Sequence, residues 1–463
     1  METEREHEAS DVDYLSDEEV EAERLSEILD AFNTGKSGEV LSCLDAYHHA
    51  DAADLLEQVP RSVLGEMAEM LGQEFPTDIL VELRDEYREI VVEHLPDQAV
   101  ADAVNSLDSD DAALILDDLA EDRQSVILEN LETVEREELE RVLAFDEETA
   151  GRLMQRDFLA APEFWTVGQA VDHGRAHADD LPDVFFEVYI IDPAFRVLGA
   201  VPLHRILRSP RSTPLGQIME EIEVEIGPDM DQEDVAYLFQ KYDLTSAPVV
   251  DASGRLTGMV TIDDVVDVIQ EENREDILAL SGVSSASAFD TVLSSFRSRA
   301  PWLAMNVLTA FIASGVISLF EPTISKYVEL AILMPVVVAL GGNAGSQTLA
   351  VSVRGLAERE LSGTAARRAI VREALTAMIN GVVFSLAIAA IAFFWFQDIR
   401  LSVVITMAMM GTFLWAGISG ILIPLTLEKM GADPAVSSSV FLLTTVDIVG
   451  FLSFLGLATL ILL

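Results

Sequence analysis

The chain has 463 residues, 80 acidic against 29 basic side chains, and a formal net charge of −51 at pH 7. So large an acidic excess excludes proteins that bind nucleic acid through a basic surface, and it favours cations as ligands. The single cysteine, Cys43, excludes an intrachain disulfide, and the length predicts more than one domain.

The charge is unevenly divided along the chain. From Pro301 to the end there are 9 acidic and 8 basic residues, so the first 300 residues carry nearly all of the negative excess. An acidic surface of this extent is typical of a halophile-like protein, kept soluble in a very salty cytoplasm. Acidic residues clustered at particular places indicate divalent-cation sites instead. We assign most of the charge to solubility and a few named carboxylates to cation binding.

The N-terminal part is predicted to be helical. Residues 1–24 form an acidic stretch without an apolar core, which indicates a disordered tail rather than a signal peptide. Residues 25–148 show helical periodicity and predict an all-α, solenoid-like N domain built from short stacked helices. An irregular helical bundle is the alternative. Leucine recurs at every twelfth position in this region, at Leu95, Leu107, Leu119, Leu131 and Leu143.

A duplication follows. Asp192 and Gly199 recur as Asp251 and Gly258, and each pair lies between two β-rich runs that precede a helix. The pattern resembles a tandem pair of CBS domains, small α/β modules that pair through their sheets, here at 149–210 and 211–270. In this resemblance Arg152-Leu-Met154 and Gln217-Ile-Met219 open the two copies.

The resemblance to CBS domains implies ATP as a candidate ligand. Thr261 and Asp264 match the Thr-x-x-Asp pattern that grips ribose and phosphates in CBS pairs. The same spacing is a helix capping box, in which the two side chains satisfy free backbone N–H groups. Both interpretations stay open for the second copy, while the first has Pro202 and Arg205 at the corresponding positions.

The last part of the chain is predicted to cross a membrane. After a connecting (plug) helix at 271–299, a transmembrane domain at 300–463 contains five apolar segments of sufficient length. Arginine and lysine concentrate on one side of these spans, which places the N-terminal half in the cytoplasm and the C-terminus outside. The five segments are 302–320, 328–351, 374–396, 401–427 and 437–462.

Three polar residues in these spans are candidate cation ligands. Asp447 is the only carboxylate well inside a predicted span, and no lysine or arginine lies inside a span to neutralise it. Asn343 and Gln347 are four residues apart and therefore share one helix face behind the Gly341-Gly342 pair. Helix packing explains the glycines but not the two amides.

The segment from Pro335 through Gly-Gly-Asn343 to Gln347, together with Asp433-Pro-Ala and Asp447-Ile-Val-Gly450, resembles the MgtE family of magnesium transporters. The resemblance covers nearly the whole chain. It implies a homodimer in the plasma (inner) membrane, with a pore on the two-fold axis that conducts Mg²⁺ passively. Asp447, Asn343 and Gln347 would then line the pore. The stretch Ser437–Val440 departs from the family pattern, because relatives commonly have a proline-containing break there.

The resemblance also implies a sensor in the cytoplasmic half. Regulatory Mg²⁺ would bind between the N domain, the CBS pair and the connecting helix and close the pore by cancelling repulsion among carboxylates. Asp110 and Asp111 match the family's N-domain acids only in part. The other matching acidic positions are Asp264, Asp267, Glu272, Glu275 and Asp276.

Two alternatives to a magnesium-selective channel remain. The first is a less selective channel that also carries Co²⁺, Ni²⁺ or Mn²⁺, and the second is a membrane-anchored CBS sensor of ions or nucleotides. The sequence contains no phosphate-binding glycine loop and no Cys/His metal cluster, and we therefore expect no enzymatic activity.

Overall fold

The computed structural model describes residues 17–178, 181–182, 184–283, 292–361 and 363–463. The chain forms two units that divide between residues 268 and 269. The first unit begins with ten helices and a 3₁₀ turn at Gly72–Glu74. The helices are α1 Asp17–Asn33, α2 Ser37–Leu44, α3 His49–Glu57, α4 Arg61–Leu71, α5 Thr77–Glu82, α6 Asp85–His94, α7 Asp97–Ser106, α8 Ser109–Asp117, α9 Glu121–Asn130 and α10 Thr133–Val142.

The twelve-residue leucine period is the repeat of this helical domain. Helices α6 to α10 begin at successive intervals of twelve residues, and so do α2, α3 and α4. The link is short because Leu107 and Asp108, between α7 and α8, are both extended, with ψ of 159° and 158°. Leucines at these links pack against one shared core, and Leu95 is 4% exposed. The solenoid-like all-α N domain is confirmed, and its period starts earlier than the leucines indicate.

The acidic tail is shorter than predicted. Helix α1 begins at Asp17, so the last eight residues of the predicted tail 1–24 are helical. Ile28 of this helix is fully buried in the same core, which anchors the segment. Residues 1–16 lie outside the described residues.

The rest of the first unit consists of two small sheets with helices. In the first copy β1 (Ala160–Pro162) is parallel to β2 (Glu187–Ile191) and β2 is antiparallel to β3 (Val197–Pro202), while β4 (Ser246–Val250) and β5 (Leu256–Thr261) form an antiparallel pair in the second. The elements are α11 Ala150–Leu153, β1 Ala160–Pro162, α12 Val167–Ala176, β2 Glu187–Ile191, β3 Val197–Pro202, α13 Leu203–Arg208, a 3₁₀ turn Leu215–Gln217, α14 Gln232–Tyr242, β4 Ser246–Val250, β5 Leu256–Thr261 and α15 Ile262–Leu280.

The duplication is exact in its strands. β4 and β5 lie 59 positions after β2 and β3, the offset that separates Asp192 from Asp251. Each of these aspartates closes its turn by accepting hydrogen bonds from backbone N–H groups two and four residues later, at 2.7 to 3.0 Å. The α/β CBS-type pair is therefore confirmed.

The segments that open the two copies are exchanged between them. Gln155, which directly follows the segment 152–154 expected to open the first copy, exchanges two 2.8 Å backbone hydrogen bonds with Met259 of the second. Glu220, which directly follows the segment 217–219 expected to open the second, pairs in the same way with Ala200 of the first. Each copy is thus completed by the opening segment of the other, a non-local pairing that the repeat spacing does not reveal.

This exchange requires a glycine at each crossing. A methyl group added at Gly258 would lie 2.7 Å from the backbone oxygen of Gln155, which cannot move without breaking the strand pairing. We expect Gly258→Ala to lower the free energy of unfolding by about 1–3 kcal/mol. Gly227→Ala is the matched control, because the added methyl meets nothing within 4 Å. Urea titration of the full chain measures the free energy of unfolding of both variants. Equal stabilities would contradict the close contact between Gly258 and the opening segment of the first copy.

The second unit contains the apolar helices. It comprises the end of α15 followed by α16 Val292–Ser318, α17 Glu321–Lys326, α18 Glu329–Ala357, α19 Gly363–Phe396, α20 Ile399–Lys429 and α21 Pro434–Leu462. Five of these helices (α16, α18, α19, α20 and α21) are long and apolar enough to cross a membrane, which confirms the predicted all-α membrane domain.

Two expectations about this region change. Of the connecting helix predicted at 271–299, the described residues 271–280 continue α15 and the described residues 292–299 begin α16. Residues 284–291 lie outside the described residues. The departure at Ser437–Val440 leaves no break, since α21 is helical from Pro434 to Leu462. Asp433 caps this helix by accepting a 2.7 Å hydrogen bond from the Ala435 N–H.

Candidate functional site

Asp447 lies in the middle of α21. Its side chain is half-buried, and it forms no hydrogen bond or ion pair with any residue that the structure describes. Helix α21 packs extensively against α18 and α20. An ionised carboxylate within an apolar helix bundle is unstable unless a cation accompanies it. The arrangement therefore suits cation binding better than a structural ion pair.

Glycines bring α18 against the turn of α21 that carries Asp447. A methyl group added at Gly341 would lie 3.1 Å from Val446 Cγ1, directly before Asp447, and 2.5 Å from Thr412 Cγ2 of α20. Gly342 and Gly345 approach Leu443 and Leu442 in the same way. At these glycines the side chains of α20 and α21 lie directly against the backbone of α18, a packing that a larger residue in α18 would block.

Asn343 and Gln347 both lie on an exposed face of α18, where one chain alone gives them no cover. A polar amide exposed on a membrane helix needs a partner group or water. The structure thus keeps these two predicted residues on one face, next to the contact between α18 and α21. In the described residues, Asn343 and Gln347 form no hydrogen bond with each other or with Asp447.

A second group of carboxylates lies within the first unit, where α8 meets the start of α15. Asp110, in the first turn of α8, is near enough to Asp264 for their charges to interact. Oδ1 of Asp110 is buried and has no hydrogen-bond partner among the described residues. A buried carboxylate oxygen in this position is free to accept a further hydrogen bond or to coordinate a cation. The fold thus brings together acids from the N domain and the second CBS copy.

The protonation equilibria of these acids reflect this crowding. Burial, followed by the charge of Asp264, raises the pKa of Asp110 well above its ordinary value. Burial also raises the pKa of Asp264 to about 7 and that of Asp111 to about 6, with Asp263 and Asp108 among the charges that contribute. Without a cation, the ionised cluster is therefore destabilised by desolvation and mutual repulsion.

Asp264 also holds the start of α15. The Thr261 hydroxyl donates a 2.7 Å hydrogen bond to Asp264 Oδ2, and the backbone N–H of Thr261 donates to the same carboxylate. The contact is half of a capping box, because the Asp264 side chain accepts from the cap N–H while the Thr261 hydroxyl donates to Asp264 and does not accept from a backbone N–H of any described residue. Asp267, one turn further along, has an exposed side chain.

The remaining predicted acids belong to the second unit. Glu275 is exposed, whereas Glu272 and Asp276 are partly buried. Burial, and then the charges of Asp433 and Glu275, raise the pKa of Asp276. Sequence reasoning treated Asp433 only as part of a family motif and did not assign it a site. Its position before α21, facing the end of α15, emerges only from the packing of α15 against α21.

None of these groups is a complete protein cage for a metal. Among the described residues, no set of three or more His, Cys, Asp or Glu side chains has metal-binding geometry. Mg²⁺ is commonly held by one or two carboxylates while it keeps several of its waters. Asp110 with Asp264, and Asp276 with Asp433, are pairs of acids whose charges interact.

Comparisons with known proteins agree with this architecture. Residues 334–457 match the family model "Divalent cation transporter", residues 47–148 match "MgtE intracellular N domain", and residues 215–271 match "CBS domain". The magnesium transporter MgtE of Thermus thermophilus is 30% identical over 447 residues, covering 89% of this chain and 98% of the relative. The Bacillus subtilis protein of the same name is 28% identical over 439 residues, covering 94% and 97%.

A solved structure is also similar in sequence. It is the cytosolic domain of the Mg²⁺ channel MgtE in complex with ATP, 28% identical, covering 53% of this chain and 99% of that one, with a TM-score of 0.49.

Proposed function

Because this chain belongs to the MgtE family of magnesium transporters, we propose that it is a magnesium-selective channel that admits Mg²⁺ passively and is shut by cytoplasmic Mg²⁺. The observation that carries the proposal is the carboxylate of Asp447, which lies within a membrane-spanning helix and has no ion-pair partner among the described residues. Such a group attracts a cation into the bilayer and repels anions. The ion is driven inward by its gradient and by an inside-negative membrane potential.

The pore belongs to a homodimer in this proposal. One chain supplies one carboxylate at the site, and a second copy related by a two-fold axis supplies another Asp447. Two carboxylates match the modest number of direct ligands that a hydrated Mg²⁺ takes. A partner across the axis would also cover the exposed amides Asn343 and Gln347, which would hold the ion's water shell by hydrogen bonds.

The regulatory half lies in the cytoplasm, and the C-terminus faces outside the plasma membrane. Arg354, Arg367, Arg368 and Arg372 flank the loop between α18 and α19 on the cytoplasmic side, in keeping with the positive-inside rule. Mg²⁺ that accumulates inside would bind between α8 and the start of α15, and between Asp276 and Asp433. It would neutralise the crowded carboxylates and stabilise a closed arrangement.

ATP at the CBS pair is a secondary element of the proposal. Thr261 and Asp264 are the residues that would hold it, but their side chains are already hydrogen-bonded to each other. Binding would therefore exchange that hydrogen bond for contacts with the ribose. ATP titration of wild type and Thr261→Val by calorimetry tests the idea, and equal heats from the two proteins would reject it.

The proposed function is tested by ion flux into liposomes. The full-length protein is reconstituted in high salt, with an internal Mg²⁺ dye, an inside-negative potential and low internal Mg²⁺. Mg²⁺ uptake with little Co²⁺, Ni²⁺ or Mn²⁺ uptake supports the proposal, and equal uptake of all four indicates a less selective channel. No flux through a folded dimer would favour the membrane-anchored sensor.

Asp433 offers a test of gating. We expect Asp433→Asn to raise, by roughly 5- to 10-fold, the internal Mg²⁺ concentration that halves the flux, because one carboxylate of the pair with Asp276 loses its charge. Folding should be unaffected, since asparagine caps helices as well as aspartate. The matched control is Asp398→Asn, which makes the same change at the cap of α20. An identical Mg²⁺ response in both variants would remove Asp433 from the sensor.

A further inference from the structure

Helix α19 carries an exposed apolar stripe along its length. Its packing within the second unit is mainly with α20. Side chains on the stripe recur three or four residues apart and so form one helix face. They are Leu375, Ile379, Val382 and Leu386, which are 50%, 63%, 38% and 58% exposed.

Two arginines continue this stripe beyond its end. Arg372 precedes Leu375 by three residues and Arg368 precedes Arg372 by four, so both lie on the same face. Both side chains are exposed. A lipid chain packed along the stripe would therefore point its headgroup at these two guanidinium groups.

The depth of the arginines in a bilayer follows from helix geometry. The apolar part of α19, residues 374–396, is about 34 Å long at 1.5 Å per residue, close to the hydrocarbon thickness of about 30 Å. Arg372 lies about 3 Å and Arg368 about 9 Å beyond its end. Headgroups occupy roughly 5–8 Å on each side of the hydrocarbon, so both side chains reach the phosphate layer.

The other end of α19 also has the character of a helix that faces lipid. Phe394 and Trp395 are 76% and 68% exposed, and they lie about 34 Å from Arg372 along the helix. Exposed aromatic rings at this height form the interfacial belt of membrane helices. The belt places this end of α19 at the far membrane interface, and the two arginines at the other end favour lipid as the occupant of the stripe, because an anionic headgroup complements their charge.

The arginines are also available to an anion. Arg368 forms no ion pair with any residue in the described ranges, and Arg372 approaches only its neighbour Glu373, with 3.3 Å between Nε and Oε1. This is notable in a chain with 80 acidic residues, where a carboxylate partner is easily supplied. Guanidinium groups bind phosphate oxygens through paired N–H donors.

We propose that Arg368 and Arg372 bind the phosphate of an anionic phospholipid whose acyl chain lies along the α19 stripe. The site would hold this face of the membrane domain against the cytoplasmic leaflet, despite the strongly negative charge of the soluble half. It depends on membrane insertion but not on ion conduction, so its test can succeed or fail independently of the flux experiment.

The test is native mass spectrometry of the delipidated full-length protein with added phosphatidylglycerol or phosphatidylcholine. Wild type is compared with the double variant Arg368→Gln/Arg372→Gln and with the control Arg400→Gln, which removes an exposed arginine at the opposite end of the spans. We expect phosphatidylglycerol affinity to fall roughly fivefold for each arginine lost, and to stay unchanged in the control.

The outcomes are distinct. Loss of phosphatidylglycerol binding in the double variant alone, with phosphatidylcholine binding equal in all three proteins, supports the site. Equal phosphatidylglycerol binding by the double variant and the control overturns it. A double variant that dissociates into monomers while lipid binding is retained also overturns it, because the stripe would then be an interface between copies.

Discussion

Replacing Asp447 by asparagine is expected to reduce Mg²⁺ flux by about 100-fold or more. Asparagine has the same shape and fits the same place on α21, so the change removes only the charge. The free energy associated with a full charge near the bilayer centre is about 3 kcal/mol. Because each 1.4 kcal/mol is a factor of ten in rate, losing the charge corresponds to about a 100-fold change in flux. The variant is assayed beside wild type in the liposome experiment, at low internal Mg²⁺ so that both channels are open.

The control for this prediction is Glu321→Gln. It removes a carboxylate from the same unit, at the start of the short helix α17, outside the five spans. Its flux should equal that of wild type. If Asp447→Asn conducts as well as Glu321→Gln while remaining folded, then Asp447 is structural and the ion pathway lies elsewhere.

Stability of the Mg²⁺-free protein should fall as pH rises from 5 to 8. The folded-state pKa values of Asp110, Asp111 and Asp264 are raised above those of an unfolded chain. The raised pKa values therefore increase the free energy of unfolding most when these groups are protonated. This contribution is lost as pH rises through their folded pKa values, near 6 and 7. Thermal unfolding of the full chain with a chelator, at pH 5 and pH 8, measures the effect.

Magnesium should reverse this loss at pH 8, because the bound cation neutralises the same carboxylates. Asp110→Asn removes one buried charge, and we expect it to raise the Mg²⁺-free unfolding midpoint at pH 8 by several degrees and to weaken stabilisation by Mg²⁺. Glu66→Gln, an exposed change in the same domain, is the control. A midpoint and Mg²⁺ response equal to wild type in Asp110→Asn would exclude the cluster as a sensor.

Part of the pH dependence will persist in the variant. Burial raises the pKa of Asp118 to about 6 even though Arg88 opposes the shift, and this group is separate from the proposed metal cluster. The informative quantity is thus the difference between the wild-type and Asp110→Asn curves, with and without Mg²⁺.

The architecture was largely readable from the sequence. A twelve-residue leucine period and a 59-residue duplication are repeats, and repeats report how a unit folds and stacks on its neighbour. Membrane spans can be predicted equally well, because a stretch of about 20 consecutive apolar residues rarely forms anything other than a membrane-spanning helix. That Asp447 has no basic partner nearby in the chain also follows from composition, since no lysine or arginine lies inside the five predicted apolar segments.

Boundaries were less predictable. The helix that leads from the CBS pair begins at Ile262, and nothing in its sequence marks the predicted domain border at 270. Likewise, α19 begins at Gly363, eleven residues before its apolar segment, because arginine and alanine favour helix as much as the apolar residues do. Hydropathy identifies the part of a helix that lies in the hydrocarbon of the membrane. It does not show how far the helix continues beyond that part.

The sequence by itself determined the domain order, the repeat architecture, the five spans and a lone carboxylate within them, because each is a local or periodic property of the chain. Only the tertiary structure decided which carboxylates are neighbours: Asp110 beside Asp264, and Asp276 beside Asp433. It also decided that the two CBS copies exchange their opening segments. These are contacts between residues far apart in the chain, set by how whole helices and strands pack, and no spacing along the sequence encodes them.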